Sequence, residues 1–164
     1  MILNKETFVT KDRTNKKIQV IRDFDAPLEK VWQAWTEPGL LDQWWAPRPW
    51  KAVTVSMDFQ SGGKWFYYME GPDGARHYCC VDYTTIEKQR SFEGVDAFCD
   101  DKGNINQEFP KMNWKVVFST KDMGTNVRVD ISFEKETDLD KILEMGFQEG
   151  FTAALGNLDE LLEK

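Results

Sequence analysis

The feature that most constrains this chain lies at its end. From Thr137 onward, Leu139, Leu143, Phe147, Phe151, Ala154, Leu158 and Leu161 or Leu162 fall on one face of a long helix. Such a face has to be buried against another layer. The residues before it read as strands. From Trp50 to Lys135, short apolar runs are broken by turn signals, which predicts six strands joined as hairpins. A strongly curved antiparallel sheet with one amphipathic helix across its concave face packs these parts most economically.

The boundaries follow from turn and helix chemistry. Lys17 to Phe24 reads as a first strand, and residues 1–16 as an N-terminal extension or edge strand. Pro27 suits a first helical turn, and Leu28, Val31, Trp32 and Trp35 form one stripe after it. Thr36 to Trp45 reads as a second short helix, which Pro47 and Pro49 forbid from continuing. Further strands are predicted at Trp50–Met57, Trp65–Glu70, Ala75–Glu87, Arg90–Phe98, Met112–Thr120 and Asn126–Lys135. Thr137 resembles the N-cap of the last helix. Gly146 and Gly150 lie on or near its stripe, at about 1 kcal/mol each relative to Ala. Something therefore approaches the backbone there, or a cavity sits over it. The whole reads as one α+β domain over 1–164, with a sheet of about seven strands.

Charge narrows the partners. The formal net charge is −7, which argues against a nucleic-acid or anionic-membrane binder. No apolar run approaches 18 residues, so no spanning helix is expected. Three cysteines, two of them adjacent, make no disulfide framework. A reducing, cytoplasmic location fits best. Gly71 to Gly74 and Ser61 to Gly63 join strand to strand, so they are turns rather than phosphate loops.

Four segments together resemble a known family: VWQAWTEPGLLDQWWAP, SGGKWFYYM, GPDG and MGFQEGFTAALGNLDELL. They are similar to the homologues of the activator of heat-shock-protein-ninety ATPase, within the START-like, SRPBCC superfamily of helix-grip folds. The resemblance runs from about Ile18 to Leu162. It implies a curved sheet of seven strands gripping a C-terminal helix, with a cavity between them. The superfamily includes lipid carriers, polyketide cyclases and hydroxylase oxygenase subunits, so fold transfers better than activity. The eukaryotic co-chaperone carries an additional amino-terminal domain for which this chain is expected to have no room. Chaperone contact is therefore the lesser expectation.

The residues expected to line that cavity come from several elements. Trp65, Tyr67 and Met69 share one strand face, and the family pattern implies that this face points inward. Trp114 and Phe118 form a similar row. Met145, Phe147, Gly150 and Phe151 lie near the middle of the last helix. An ordinary filled core is the competing reading of such aromatic rows. Of the adjacent tryptophans, Trp44 is expected in the seam between the short helices and the long one, and Trp45 at the pocket mouth or over the sheet edge; the reverse stays open.

The polar candidates are fewer. His77 and Cys79 share a face, and folding about Lys88–Gln89 sets Cys79 opposite position 98 or 99, bringing Cys99 near. A metal site or a nucleophile with its base is conceivable there, but the spacing matches no motif, and inert thiols are the ordinary reading. Asp96, with Phe92, Gly94 and Phe98, can point inward, where it could act as a general acid or base. The competing reading is that it faces solvent or pairs with a Lys or Arg, since Asp is seldom fully buried unpaired. The sequence thus predicts a binding module for a small apolar, aromatic or lipid-like molecule, with Tyr67, His77 and Asp96 orienting it. No catalytic residue, metal or cofactor is expected. A cyclase- or hydrolase-like enzyme, a homodimer and a stress-related chaperone partner are the alternatives.

Overall fold

A computed structural model describes residues 6–164; the first five residues of the expected N-terminal extension lie outside the described residues. The chain runs β1 (Phe8–Asp12), β2 (Lys17–Phe24), α1 (Leu28–Thr36), α2 (Pro38–Trp44), β3 (Lys51–Met57), β4 (Lys64–Glu70), β5 (Arg76–Glu87), β6 (Ser91–Cys99), β7 (Met112–Lys121), β8 (Gly124–Ser132), α3 (Glu136–Glu144) and α4 (Phe147–Leu162). All strands join one antiparallel sheet of eight, ordered β1-β2-β8-β7-β6-β5-β4-β3. The eighth strand is β1, which pairs with β2 from Phe8↔Ile21 to Asp12↔Lys17 and takes the edge position. The architecture is the helix-grip fold, a curved antiparallel sheet with the C-terminal helix on its inner side.

The inner face follows the period-two pattern. Ile18 and Val20 in β2, Trp65 and Tyr67 in β4, Trp114, Val116 and Phe118 in β7, and Val127, Val129 and Ile131 in β8 are all buried in one core. The outer face carries the polar alternates, such as Asp82, Lys115 and Arg128. The turn before β4 depends on close backbone approach. A Cβ on Gly63 would stand 2.0 Å from the Asp58 carbonyl oxygen, so no other residue fits without rearrangement. Gly63 O in turn accepts from Tyr83 N at 2.9 Å, which locks the turn onto β5.

The last amphipathic segment departs from expectation. It is two helices, broken at Gly146, whose φ of 89° is left-handed. Glycine adopts that conformation without a Cβ penalty, and it ends helices at this kind of position. Gly146 therefore serves as a breaker and not as a tolerated gap in one long helix. Nor does Thr137 cap α3: Lys135 holds the N-cap place with no side-chain cap bond, while Glu136 and Asp138 supply the favourable first-turn charge.

The helix α4 rests mainly on α1 and α2 rather than on the strands. Asn157 Nδ2 donates to the Ala46 carbonyl at 3.1 Å, tying α4 to the chain after α2. Toward its C-terminal end, Asp159 pairs with Arg22 of β2. At its N-terminal end, Phe151 meets the Trp114 ring of β7 at 5.5 Å. Trp44 lies fully buried, donates Nε1 to the Ala34 carbonyl at 2.8 Å, and meets Trp35 edge-on at 4.8 Å. It is the anchor of the helical layer.

Candidate functional site

Under the first half of α4, the helical layer and the sheet leave a cavity of about 420 Å³. One cause is visible in α4 itself. A Cβ built on Gly150 would meet only Pro47 Cγ, at 3.7 Å, so the helix backbone faces space there. A second cause is the break at Gly146, which places Met145, Gly146 and Phe147 along the cavity's border. The lining includes His77 and Met145, which are both exposed, so the cavity reaches the surface.

Eleven of the thirteen residues singled out in the sequence border this space: Trp45, Tyr67, Met69, His77, Cys79, Asp96, Trp114, Met145, Phe147, Gly150 and Phe151. Trp45 is half-buried, and its ring contacts Trp65 at 5.5 Å, Trp114 at 5.7 Å and Phe151 at 6.0 Å. It also lines a second, smaller void of about 20 Å³, room for little more than one water-sized group. Trp65 lies on that smaller void, stacked on Tyr67 at 4.0 Å, and not on the main cavity. Phe118 borders neither. It points inward as expected but packs against Trp32 at 5.1 Å and Trp35 at 5.9 Å, in the solid part of the core.

Six lining residues escaped the sequence reading: Pro47, Trp50, Phe98, Met112, Ile142 and Gly146. Phe98 and Met112 share faces with Asp96 and Trp114, so strand alternation alone could have found them. Ile142 stands three residues after Leu139 on the helical stripe. Pro47 sits in an aperiodic turn that carries no such signal, and Trp50, read as the first residue of a strand, lies just before β3 instead.

The expected thiol grouping does not form. Cys79 stands opposite Phe98, and Cys99 opposite Tyr78. Cys99 therefore belongs to the outer face, where its sulfur lies 2.9 Å from that of Cys80. A one-residue difference in register exchanges faces, and the sequence left position 98 or 99 undecided. His77 packs its ring against Trp50 at 5.2 Å. The grouping of His77, Cys79 and Cys99 is not formed, and among the described residues no three His, Cys, Asp or Glu side chains converge on a metal position.

The polar part of the cavity centres on Asp96. Its carboxyl is buried, and that burial pushes its pKa up to about 7. Among the described residues it has no ion pair with any Lys, Arg or His. Burial also raises the Tyr67 hydroxyl and the Cys79 thiol well above their usual ranges, with Asp96 adding to both. Burial, and then Asp96, raises Tyr83 in the same way. Trp45 Nε1 donates to Tyr67 Oη at 3.0 Å, which fixes both rings. Behind them, Trp65 Nε1 donates to Thr54 Oγ1 at 3.0 Å, and Thr54 Oγ1 donates to Asp42 Oδ1 at 2.6 Å. The arrangement can enclose an apolar body and set one polar atom against Asp96 or Tyr67.

A curved sheet, a gripping C-terminal helix and a hollow between them define a helix-grip protein of the START-like class. Comparison gives the family within that class. Residues 25–163 match the family described as activator of Hsp90 ATPase homolog 1-like protein, and the chain belongs to it. Among solved structures, a protein from Arthrobacter aurescens is 33% identical, with a TM-score of 0.90 over 95% of this chain and 91% of that one. A protein from Mycobacterium smegmatis is 28% identical, with a TM-score of 0.89 over 96% and 97% of the two chains. A Staphylococcus epidermidis protein is 26% identical, with a TM-score of 0.81 over 99% and 94%. Comparison with curated proteins gives no match. Among the described residues no helix is long and apolar enough to cross a membrane.

Proposed function

We propose that this protein is a binding module that holds one small apolar or aromatic molecule between its sheet and α4. The observation carrying this reading is the 420 Å³ cavity with tryptophan and phenylalanine walls. That volume lies within the roughly 300–1,000 Å³ of ordinary small-molecule sites. That suits a one- or two-ring molecule or a single short acyl chain. Burying about 200 Å² of ligand apolar surface contributes roughly 5 kcal/mol at ~25 cal/mol per Å². The rest of a micromolar affinity, about 8 kcal/mol in total, then has to come from a polar contact. Asp96 and Tyr67 are the groups placed to supply it, and Tyr67 is held by Trp45.

The test is a panel of apolar and aromatic compounds read by thermal shift and by tryptophan fluorescence, since Trp45 and Trp114 line the cavity. Binders should raise the melting temperature and change the emission, and a Gly150→Leu variant that fills the space should lose both responses. A broad panel with neither response removes this reading.

A cyclase- or hydrolase-like activity in the same cavity is the second reading. What favours it is a buried carboxyl with a pKa near 7, beside a tyrosine hydroxyl, able to give or take a proton. It requires that a bound compound be converted, and that Asp96→Asn abolish conversion at saturating ligand concentration, where any loss of affinity no longer matters. Binding of every ligand without chemical change leaves only the carrier.

A further inference from the structure

The cavity combines two features that usually do not occur together. One is a continuous aromatic wall: Trp114 meets Phe151 at 5.5 Å and Phe147 at 6.2 Å, and Trp45 closes on Trp114 at 5.7 Å. The other is a buried carboxylate within that wall, with no ion-pairing Lys, Arg or His among the described residues. Among the described residues no Lys or Arg lines the space. Buried charges are ordinarily paired, because an isolated one is costly to desolvate. Aromatic faces attract cations but not anions. The protein's net charge of −7 disfavours anionic ligands further.

We infer that the cavity's ligand is a hydrophobic amine, with its cationic nitrogen against Asp96 and its apolar body among the rings of Trp45, Trp114 and Phe151. The inference rests on the binding reading above and names the ligand class for that site. A metal ion does not satisfy the same geometry, since no three ligating side chains converge among the described residues. A carboxylate or phosphate ligand would meet Asp96 as a like charge. A neutral ligand can occupy the rings but leaves the carboxylate without a counter-charge. Bound ammonium favours the ionised form of Asp96, whose burial otherwise holds it near half-protonation at neutral pH. The other titratable groups facing the cavity are Tyr67 and His77, together with the thiol of Cys79; Tyr83 stands behind them. The helices and the segment after α2 contribute no titratable group to the lining.

A matched series tests this: 2-phenylethylamine, 2-phenylethanol and 3-phenylpropionate, titrated calorimetrically at pH 8 into the full chain. The amine should bind at least tenfold tighter than the alcohol, and the carboxylate most weakly. Asp96→Asn should bring amine and alcohol to within about twofold of each other while keeping the alcohol's affinity. In the wild type the preference should fade at pH 5. If the alcohol binds as tightly as the amine, or if Asp96→Asn retains the preference, the amine inference falls while the cavity reading stands. If none of the three binds and none shifts the melting temperature, both fall.

Discussion

Replacing Asp96 with Asn should stabilise the ligand-free protein, and only above acidic pH. The Asp96 carboxyl titrates near 3.8 when exposed and at about 7 in the fold, because burial penalises its charge. Between those values the native state holds a proton that the unfolded state has lost. Stability therefore falls as pH rises through this window and levels off above it. A shift of roughly three units, at about 1.4 kcal/mol per unit, gives a loss of about 4 kcal/mol as an upper bound. Asn cannot ionise and shows no such fall. At pH 4 the two proteins should differ little. At pH 8 the variant should be more stable by up to ~4 kcal/mol, or roughly 8–16 °C in melting temperature for a chain of this size. Urea unfolding of both proteins at pH 4, 5, 6, 7 and 8, followed by tryptophan fluorescence, reads the difference directly. Groups common to both cancel, and Tyr67, Cys79 and Tyr83 are pushed upward, out of this range. A gap independent of pH, or a variant less stable at pH 8, would refute a buried Asp96 whose desolvation outweighs its backbone hydrogen bond to Ala97.

Other substitutions separate cavity from scaffold. Gly150→Ala should gain about 0.5–1 kcal/mol by chemical denaturation, because its Cβ meets only Pro47 Cγ at 3.7 Å and alanine favours helix. Gly146→Ala should lose about 1–2 kcal/mol in the same assay, since its φ of 89° is unfavourable for any residue with a side chain. Phe118→Leu should lower the melting temperature yet leave ligand affinity unchanged, because Phe118 packs against Trp32 and Trp35 and does not line the cavity. Cys80→Ala, on the outer face, should leave affinity for any cavity ligand within twofold by calorimetry.

Much of this fold was legible because its signals are local. The strand read at Lys17 to Phe24 has the bounds of β2, with alternation holding to Arg22 and lost at the buried Asp23, and the turn chemistry of Gly71 to Gly74 separates β4 from β5 as expected. The inward face of β4 came from the family resemblance and agrees with the burial of Trp65 and Tyr67. Where reading failed, a local signal was outvoted or absent. The stripe from Leu139 to Leu162 stays in phase across Gly146, so periodicity hid a break that a left-handed glycine makes. Phe118 shows the limit of face arguments. Alternation says which side of the sheet a residue occupies, but not whether helix or hollow lies above it. Pro47 reaches the cavity from an aperiodic turn, and Trp50, expected to open a strand, reaches it from the residue before β3. Asp96 was ambiguous because aspartate is seldom buried without a cation, so solvent or an ion pair was its ordinary reading.

The account stands on room beneath α4 that a small molecule can enter. Crystals soaked with bromobenzene test this most directly, through the anomalous signal of the bromine. The expected result is a peak enclosed by Trp45, Trp114, Phe147 and Phe151, above Asp96, which disappears in Gly150→Leu crystals. Electron density in which those side chains fill the space, with bromine only on the surface, would contradict it.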